Sequence, residues 1–401
     1  MPWLLALGCG PAVELETDTT TLDDDSTTTV ADDSTTTTPT PTTADETSTG
    51  VDDDPTIDPM PDMGDPLPSL CPAGSGDLVL EWGVTDAAER ADAVAVGVGR
   101  VAWMAGEFGD SHLRVLDLDG NPLWDDPVPM FGGEGDLSLE DLAIDPSGGV
   151  ILAGAMTGDS GWFAGLFRWY DADGNVLAED VHENASHTIW QGVALLPDGD
   201  AVVAGESEEV MLVRRYTPDA MEAWTQMAGQ NGSLWGSHVA VAPAGTIFVS
   251  AHTNTIPGPV VRAYDGDGML QWSYEDEVGG WIDTSFSVAS DSQGRAVLPV
   301  TSEMEDHRVH RFDAAGSIEL TIPLDFGANA VAVDADDSIV VAGAINGQST
   351  VVVERYAADG THLARYEREG RFATGVAVDE DCHAYVVGYT NFVGAWLDRL
   401  R

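Results

Sequence analysis

AVAVDADDSIVVAG, residues 330–343, decides the fold: a short Val/Ala strand, an Asp-rich turn and a second apolar run ending in Ala-Gly. Alternating Val and Ala suits a strand crowded on both faces, and clustered Asp suits a tight hairpin. The unit recurs as DAVAVGVGRVAWMAG (92–106), DLAIDPSGGVILAG (141–154), GVALLPDGDAVVAG (192–205), HVAVAPAGTIFVSA (238–251), SVASDSQGRAVLPV (287–300) and GVAVDEDCHAYVVG (375–388). That makes seven copies, spaced about 45 residues apart, a period that marks repeat architecture.

Each copy continues into a third strand and a polar turn, as in LRVLDLDGN (113–121), FRWYDADGN (167–175), VRAYDGDGM (261–269) and ERYAADGT (354–361). A short fourth strand follows, holding Trp124, Trp224 or Trp272 in three of the copies. Four short strands per unit is the arithmetic of a propeller blade, so an all-β, seven-bladed β-propeller is expected over residues 71–401. The seventh copy ends at its third strand, AWLDRLR (395–401), whereas DLVLEWG (77–83) ahead of the first copy has the pattern of a fourth strand. The N-terminal strand is therefore expected to complete the last blade and remove the open sheet edges.

These units resemble the bacterial β-propeller repeats of the SBBP and NHL type. The tails from Gly120 to Trp124 and Gly268 to Trp272 are similar to tryptophan-docking repeats of quinoprotein-like propellers. The resemblance covers residues 77–401 and implies the fold; propellers of this kind host enzymes, scaffolds and binding modules alike.

Ahead of the repeats, MPWLLALG runs into Cys9, the order of a signal peptide followed by a lipobox cysteine, although no basic residue precedes it. Cys9 is expected to be lipidated, with residues 1–9 as signal and lipobox. Residues 10–70, rich in Thr, Asp, Glu and Pro and without a basic residue, are expected to form a disordered acidic stalk. Together with the repeats, this arrangement resembles surface lipoproteins of myxobacteria. A cell-envelope location, at the outer membrane or cell surface, follows as the expectation.

The 401 residues carry 69 acidic side chains against 16 basic ones, all Arg, for a formal charge of -53. Such a surface repels nucleic acid and anionic lipid, leaving the lipid anchor as the expected membrane contact. Cys71 and Cys382, the cysteines other than Cys9, are expected to pair in a disulfide that locks the ring, because an exported chain meets an oxidising environment.

The chemistry-bearing motifs are sparse. Turns such as Asp117-Leu-Asp119-Gly120-Asn121 lack the residue order and the final Glu of a calcium loop, and hairpin geometry explains their composition. The histidines show no zinc spacing, so neither metal nor cofactor is expected. The third strands carry one or two Arg each, and the series Arg114, Arg168, Arg214, Arg262, Arg311, Arg355 and Arg399 is expected to pair with neighbouring acids. The loops leading into successive inner strands contain Trp190, Trp235, Trp281, Phe326 and Phe372. Loops sharing that face add Glu107, Glu206, Glu208, Trp162 and Asp306. Aromatics beside carboxylates suit sugar rings, peptide side chains or cations. The expected function is a non-catalytic binding or scaffolding module, acting as a monomer, for an extracellular glycan or protein. The alternative is an extracytoplasmic propeller enzyme: quinoprotein-like, lyase or hydrolase.

Overall fold

The computed structural model describes residues 77–401, except 89, 107–110, 128–136, 159–160, 184–186, 209, 229–233, 254–258, 276–286, 302–305, 346–347 and 391–393. Cys9, the stalk at 10–70 and Cys71 thus lie outside the described residues. Among those described, 28 strands form seven four-stranded sheets. The inner strands are Arg90–Gly97, Leu137–Ile144, Thr188–Leu195, Leu234–Val241, Ala289–Ser290, Gly327–Val333 and Phe372–Val378, which open blades 1 to 7 in order. The protein is a seven-bladed β-propeller.

Burial explains the strand composition. Second strands such as Val150–Thr157 and Ala296–Val300 are buried almost throughout, because neighbouring blades cover both faces, and they read as continuous apolar runs. Outer strands such as Val176–His182 and Leu270–Glu275 alternate between exposed and half-buried residues. The buried side chains gather into clusters that each join adjacent blades. Leu113 and Leu152 meet between blades 1 and 2, and Trp103 and Tyr385 meet between blades 7 and 1. The core is thus a ring of seams.

The ring closes as the sequence leads one to expect. Leu80–Asp86 pairs antiparallel with Ala395–Leu400, placing Leu80 opposite Leu400 and Asp86 opposite Ala395. Val79 and Arg401 exchange backbone hydrogen bonds of 2.9 and 3.0 Å. Arg114 of blade 1 ion-pairs with Asp86 at the end of the closing strand.

Tryptophans lock successive blades. Trp82, Trp124, Trp224 and Trp272 each lie beneath the turn between the third and fourth strands of the following blade, against Gly120, Gly174, Gly268 and Gly316. The indole Nε1 of Trp82, Trp124 and Trp224 donates to the carbonyls of Leu118, Ala172 and Gly266, each at 3.1 Å. The same carbonyls accept from Arg399, Arg100 and Arg215 at 2.8–2.9 Å. Blade 3 varies the pattern in a consistent way. Its turn has Ala220 (φ 55°) in place of Gly, and Ala220 and Ala178 border the same seam. With a methyl in place of an indole, the turn tolerates a Cβ.

The third-strand arginines pair with acids, as at Arg168 with Glu179, Arg311 with Glu319 (3.2 Å) and Arg399 with Glu81 (3.3 Å). The turn carboxylates serve their own backbones. Asp117 Oδ1 accepts from the amides of Asp119 and Asn121 at 3.0 and 2.8 Å. Chiefly through the Asn121 hydrogen bonds, the Asp117 carboxyl is held below its ordinary range.

Candidate functional site

Strands alternate in direction, so the loops leading into inner strands share one face with the connections between second and third strands. On this face the sequence spacing between described strands varies from blade to blade, from Glu275 to Ala289 into blade 5 but only from Leu324 to Gly327 into blade 6. The opposite face repeats one five-residue turn between first and second strands, at 145–149, 196–200, 242–246, 291–295, 334–338 and 379–383.

The structure corrects the expectation that an aromatic from each of five blades rims the channel. Trp190 is fully buried, packed into the seam of blades 2 and 3 with the Arg214 guanidinium 5.3 Å from its ring centroid. Phe326 is also fully buried and belongs to the seam of blades 5 and 6. Both sit where an inner strand meets its neighbouring blade, so the ring fills a seam and presents no face to solvent. Phe372 is half-buried, 5.7 Å from Tyr389, with the Arg371 guanidinium at 5.5 Å. Trp235 lies on Leu234–Val241, with its side chain outside the described residues, as are Trp281 and Glu107 entirely. Trp162 is 56% exposed. Glu206 faces His187, Glu208 is exposed, and Asp306 pairs with Arg308 at 2.8 Å.

The axis contains polar residues that the sequence reading passed over. A cavity of about 160 Å³ lies among the inner strands, lined on its polar side by Asp92, Asp141, His238, Ser287 and Thr374. A register shift interrupts the pairing of six inner strands, and the residues within it include Asp92, Glu140, Gln191, Ser237, Asn329 and Thr374. Such a bulge turns a side chain out of the sheet alternation. Thr374 Oγ1 donates to the Ala91 carbonyl at 2.6 Å, and Asn329 Nδ2 to the Ala373 carbonyl at 2.9 Å. Asp141 Oδ2 accepts from the Val193 amide at 2.9 Å and lies 3.7 Å from His238 Nδ1. These bonds tie the inner strands together around the axis. The signal was present in the aligned repeats: the position just before Asp141, Gly192, His238, Ala330 and Gly375 is polar each time.

Two of these positions hold acids. Burial pushes the Asp92 carboxyl above its ordinary range, opposed by the Arg90 charge and hydrogen bond. Burial also raises Glu140, reinforced by the Asp92 charge and opposed by the Ser138 hydrogen bond, Arg90 and His238. A folded-state pKa raised above the unfolded value favours the native state when the group is protonated, and that contribution is lost as pH rises through the folded pKa. Glu140→Gln is therefore expected to raise thermal stability at pH 7, with the gain shrinking toward the ordinary glutamate range near about pH 4. Melting curves across that window check it; a gain that stays constant with pH would contradict the assignment. Among the described residues no group of three or more His, Cys, Asp or Glu is arranged to hold a metal ion.

No protein-family model and no curated protein matches the chain. Solved structures do. The WD40 β-propeller domain of Doa1 matches over 81% of this chain and 97% of that one, at 11% identity and a TM-score of 0.58. The Neurospora crassa Pan2 WD40 domain matches over 77% and 88%, at 11% identity and TM-score 0.54. The Dos1 propeller matches over 80% and 95%, at 10% identity and TM-score 0.53. Likeness at this identity extends to the fold alone.

Proposed function

We propose that the protein is a cell-surface lipoprotein whose propeller serves as a non-catalytic binding or scaffolding module for an extracellular glycan or protein. Cys9 carries the lipid, and the partner meets the loop face. The observation that carries this reading is the contrast between the two faces. One repeats the same short turn in nearly every blade and is interlocked by tryptophan and arginine, while on the other the sequence spacing between described strands ranges from Leu324–Gly327 to Glu275–Ala289. Loops released from the repeat on a rigid scaffold are where recognition is built. Phe372, Trp235 and Trp281 are candidate contacts on that side. The likeness of the repeats to SBBP and NHL-type propellers, and of the acidic N-terminal segment to myxobacterial surface lipoproteins, supports the same reading.

Glycan and protein arrays probed with the full chain test it. A saturable partner is expected, and membrane fractionation should release Cys9→Ser into the soluble fraction while wild type stays bound. Absence of any partner would overturn the binding role, and equal release of both forms would overturn the anchor.

A further inference from the structure

Arg114, Arg168 and Arg214 hold the same position of their third strands, and each looks across to the outer strand of its own blade, at Asp125, Glu179 and Thr225. Blade 3 thus puts a neutral hydroxyl where the other two put a carboxylate. Arg214 is buried, and its Nε donates to Thr225 Oγ1 at 2.8 Å. Its remaining donors reach into the seam with blade 2, where Nη1 donates to His182 Nδ1 at 2.9 Å and Nη2 lies 3.4 Å from Nε2. A guanidinium has donors and no acceptor, so Nδ1 has to be the unprotonated nitrogen of the ring. Protonation would remove that acceptor and set one cation against another.

The surroundings hold the ring in that place. Gly165, opposite His182 in the strand pair, leaves room that the Trp190 indole takes, since a Cβ on Gly165 would lie 2.5 Å from Trp190 Nε1. The indole and the imidazole stand 5.9 Å apart. Two acids face the contact, Asp180 from the same strand as His182 and Glu222 from the outer strand of blade 3. Asp180 Oδ2 accepts from the Tyr216 hydroxyl at 2.6 Å and lies 3.8 Å from Arg214 Nη1, and Glu222 Oε2 lies 3.4 Å from Nη2. Tyr216 in turn accepts from Arg214 Nη1 at 3.2 Å. Burial, and after it the Arg214 charge, hold the imidazole below its ordinary range, against the pull of Asp180 and Glu222.

We propose that the His182–Arg214 contact is a pH-sensitive latch on the seam of blades 2 and 3, closed while the imidazole is neutral and released when acid protonates it. His182 ends the outer strand of blade 2, and the chain passes from it into the connection to the inner strand of blade 3, so release frees that strand end where it enters the loop face. The latch goes beyond the binding-module reading and does not depend on it. A histidine whose folded-state pKa lies below its unfolded value contributes stability in full above the unfolded value, about pH 6.5, and loses it as pH falls through the folded value.

The test titrates the histidines of the full chain by NMR after histidine-selective labelling, with the His182 signal assigned by its loss in His182→Gln. Its midpoint should lie below that of an ordinary histidine, and Arg214→Gln should move it upward. As pH is lowered through that midpoint, the amides of Val176–His182 and Val210–Tyr216 should gain hydrogen exchange severalfold, after correction for the intrinsic pH dependence of the exchange. His182→Gln, whose side-chain carbonyl can still accept from Arg214 but does not titrate, should show little of that gain. A His182 midpoint at or above the ordinary value would overturn the latch, and so would an equal gain in wild type and His182→Gln. If Arg214→Gln does not fold, the wild-type midpoint and the His182→Gln comparison decide between these outcomes.

Discussion

Cys382→Ser, or a reducing agent, is expected to lower the unfolding free energy by about 2–5 kcal/mol, the usual consequence of opening a disulfide that closes a long loop. Cys382 is buried and disulfide-bonded, and Cys9 and Cys71 lie outside the described residues. With Cys9 proposed as the lipid site, Cys71 is the proposed partner. It stands a few residues ahead of Leu80–Asp86, in the blade whose inner hairpin carries Cys382. The Cys382 amide donates to the Asp379 carbonyl at 3.0 Å, and its own carbonyl accepts from Arg355 of blade 6 at 2.5 Å. The bond would therefore join the start of the propeller to the seam of its last two blades. Cys382 also has φ 68°, in the left-handed region that favours Gly. Under reduction, Cys382→Gly should accordingly be more stable than Cys382→Ser by about 1 kcal/mol. Urea melts with and without reductant measure both effects. An unreduced digest should contain the Cys71–Cys382 peptide, and free thiols at both positions would refute the pairing.

The second large effect is expected at the seam of blades 4 and 5. Gly316 has φ 81°, and a Cβ there would lie 2.7 Å from Trp272 Cδ2. Trp272 is wedged between Phe248 and Phe312, each with its ring centroid 5.8 Å away, so it has little room to give. Gly316→Ala should cost about 1–2 kcal/mol for the backbone conformation and a further 1–3 kcal/mol for displacing the indole. Gly245→Ala isolates the first cost, because Gly245 has φ 88° and no atom within 4 Å of the added Cβ. Parallel thermal and urea melts should show the larger loss at Gly316. Equal losses would mean that the tryptophan does not set the turn residue.

The repeat made the blades legible, because seven imperfect copies average out the ambiguity that a single short apolar run would have. The same averaging exposed Leu80–Asp86 as the missing outer strand, since Trp82 stands where Trp124 and Trp272 stand in theirs. Direction was harder to read. Each Gly-x-x-x-Trp tail holds both residues in one blade, yet the indole reaches the turn of the following blade, and only the ring geometry brings Trp124 to Gly174. Sequence also could not say whether Trp190 and Phe326 would project into the loops or fold back into seams, because that depends on where each inner strand begins. Asp92 and Glu140 escaped notice because bulges shift them out of the two-residue alternation by which side chains were assigned to faces. The loop-face connections share no pattern among the copies, so nothing could be averaged there.

Pairing Leu80 with Leu400 also sets an order of events in time. Blades 1 to 6 draw all their strands from consecutive sequence, so each can form as soon as its own residues have left the ribosome. The strand at 80–86 emerges before any of them and has to wait for the last of the seven blades. Until then two unsatisfied strand edges remain at opposite ends of an open arc, and the joining step is among the longest-range contacts the chain makes, a topology that slows folding and exposes the arc to intermolecular pairing.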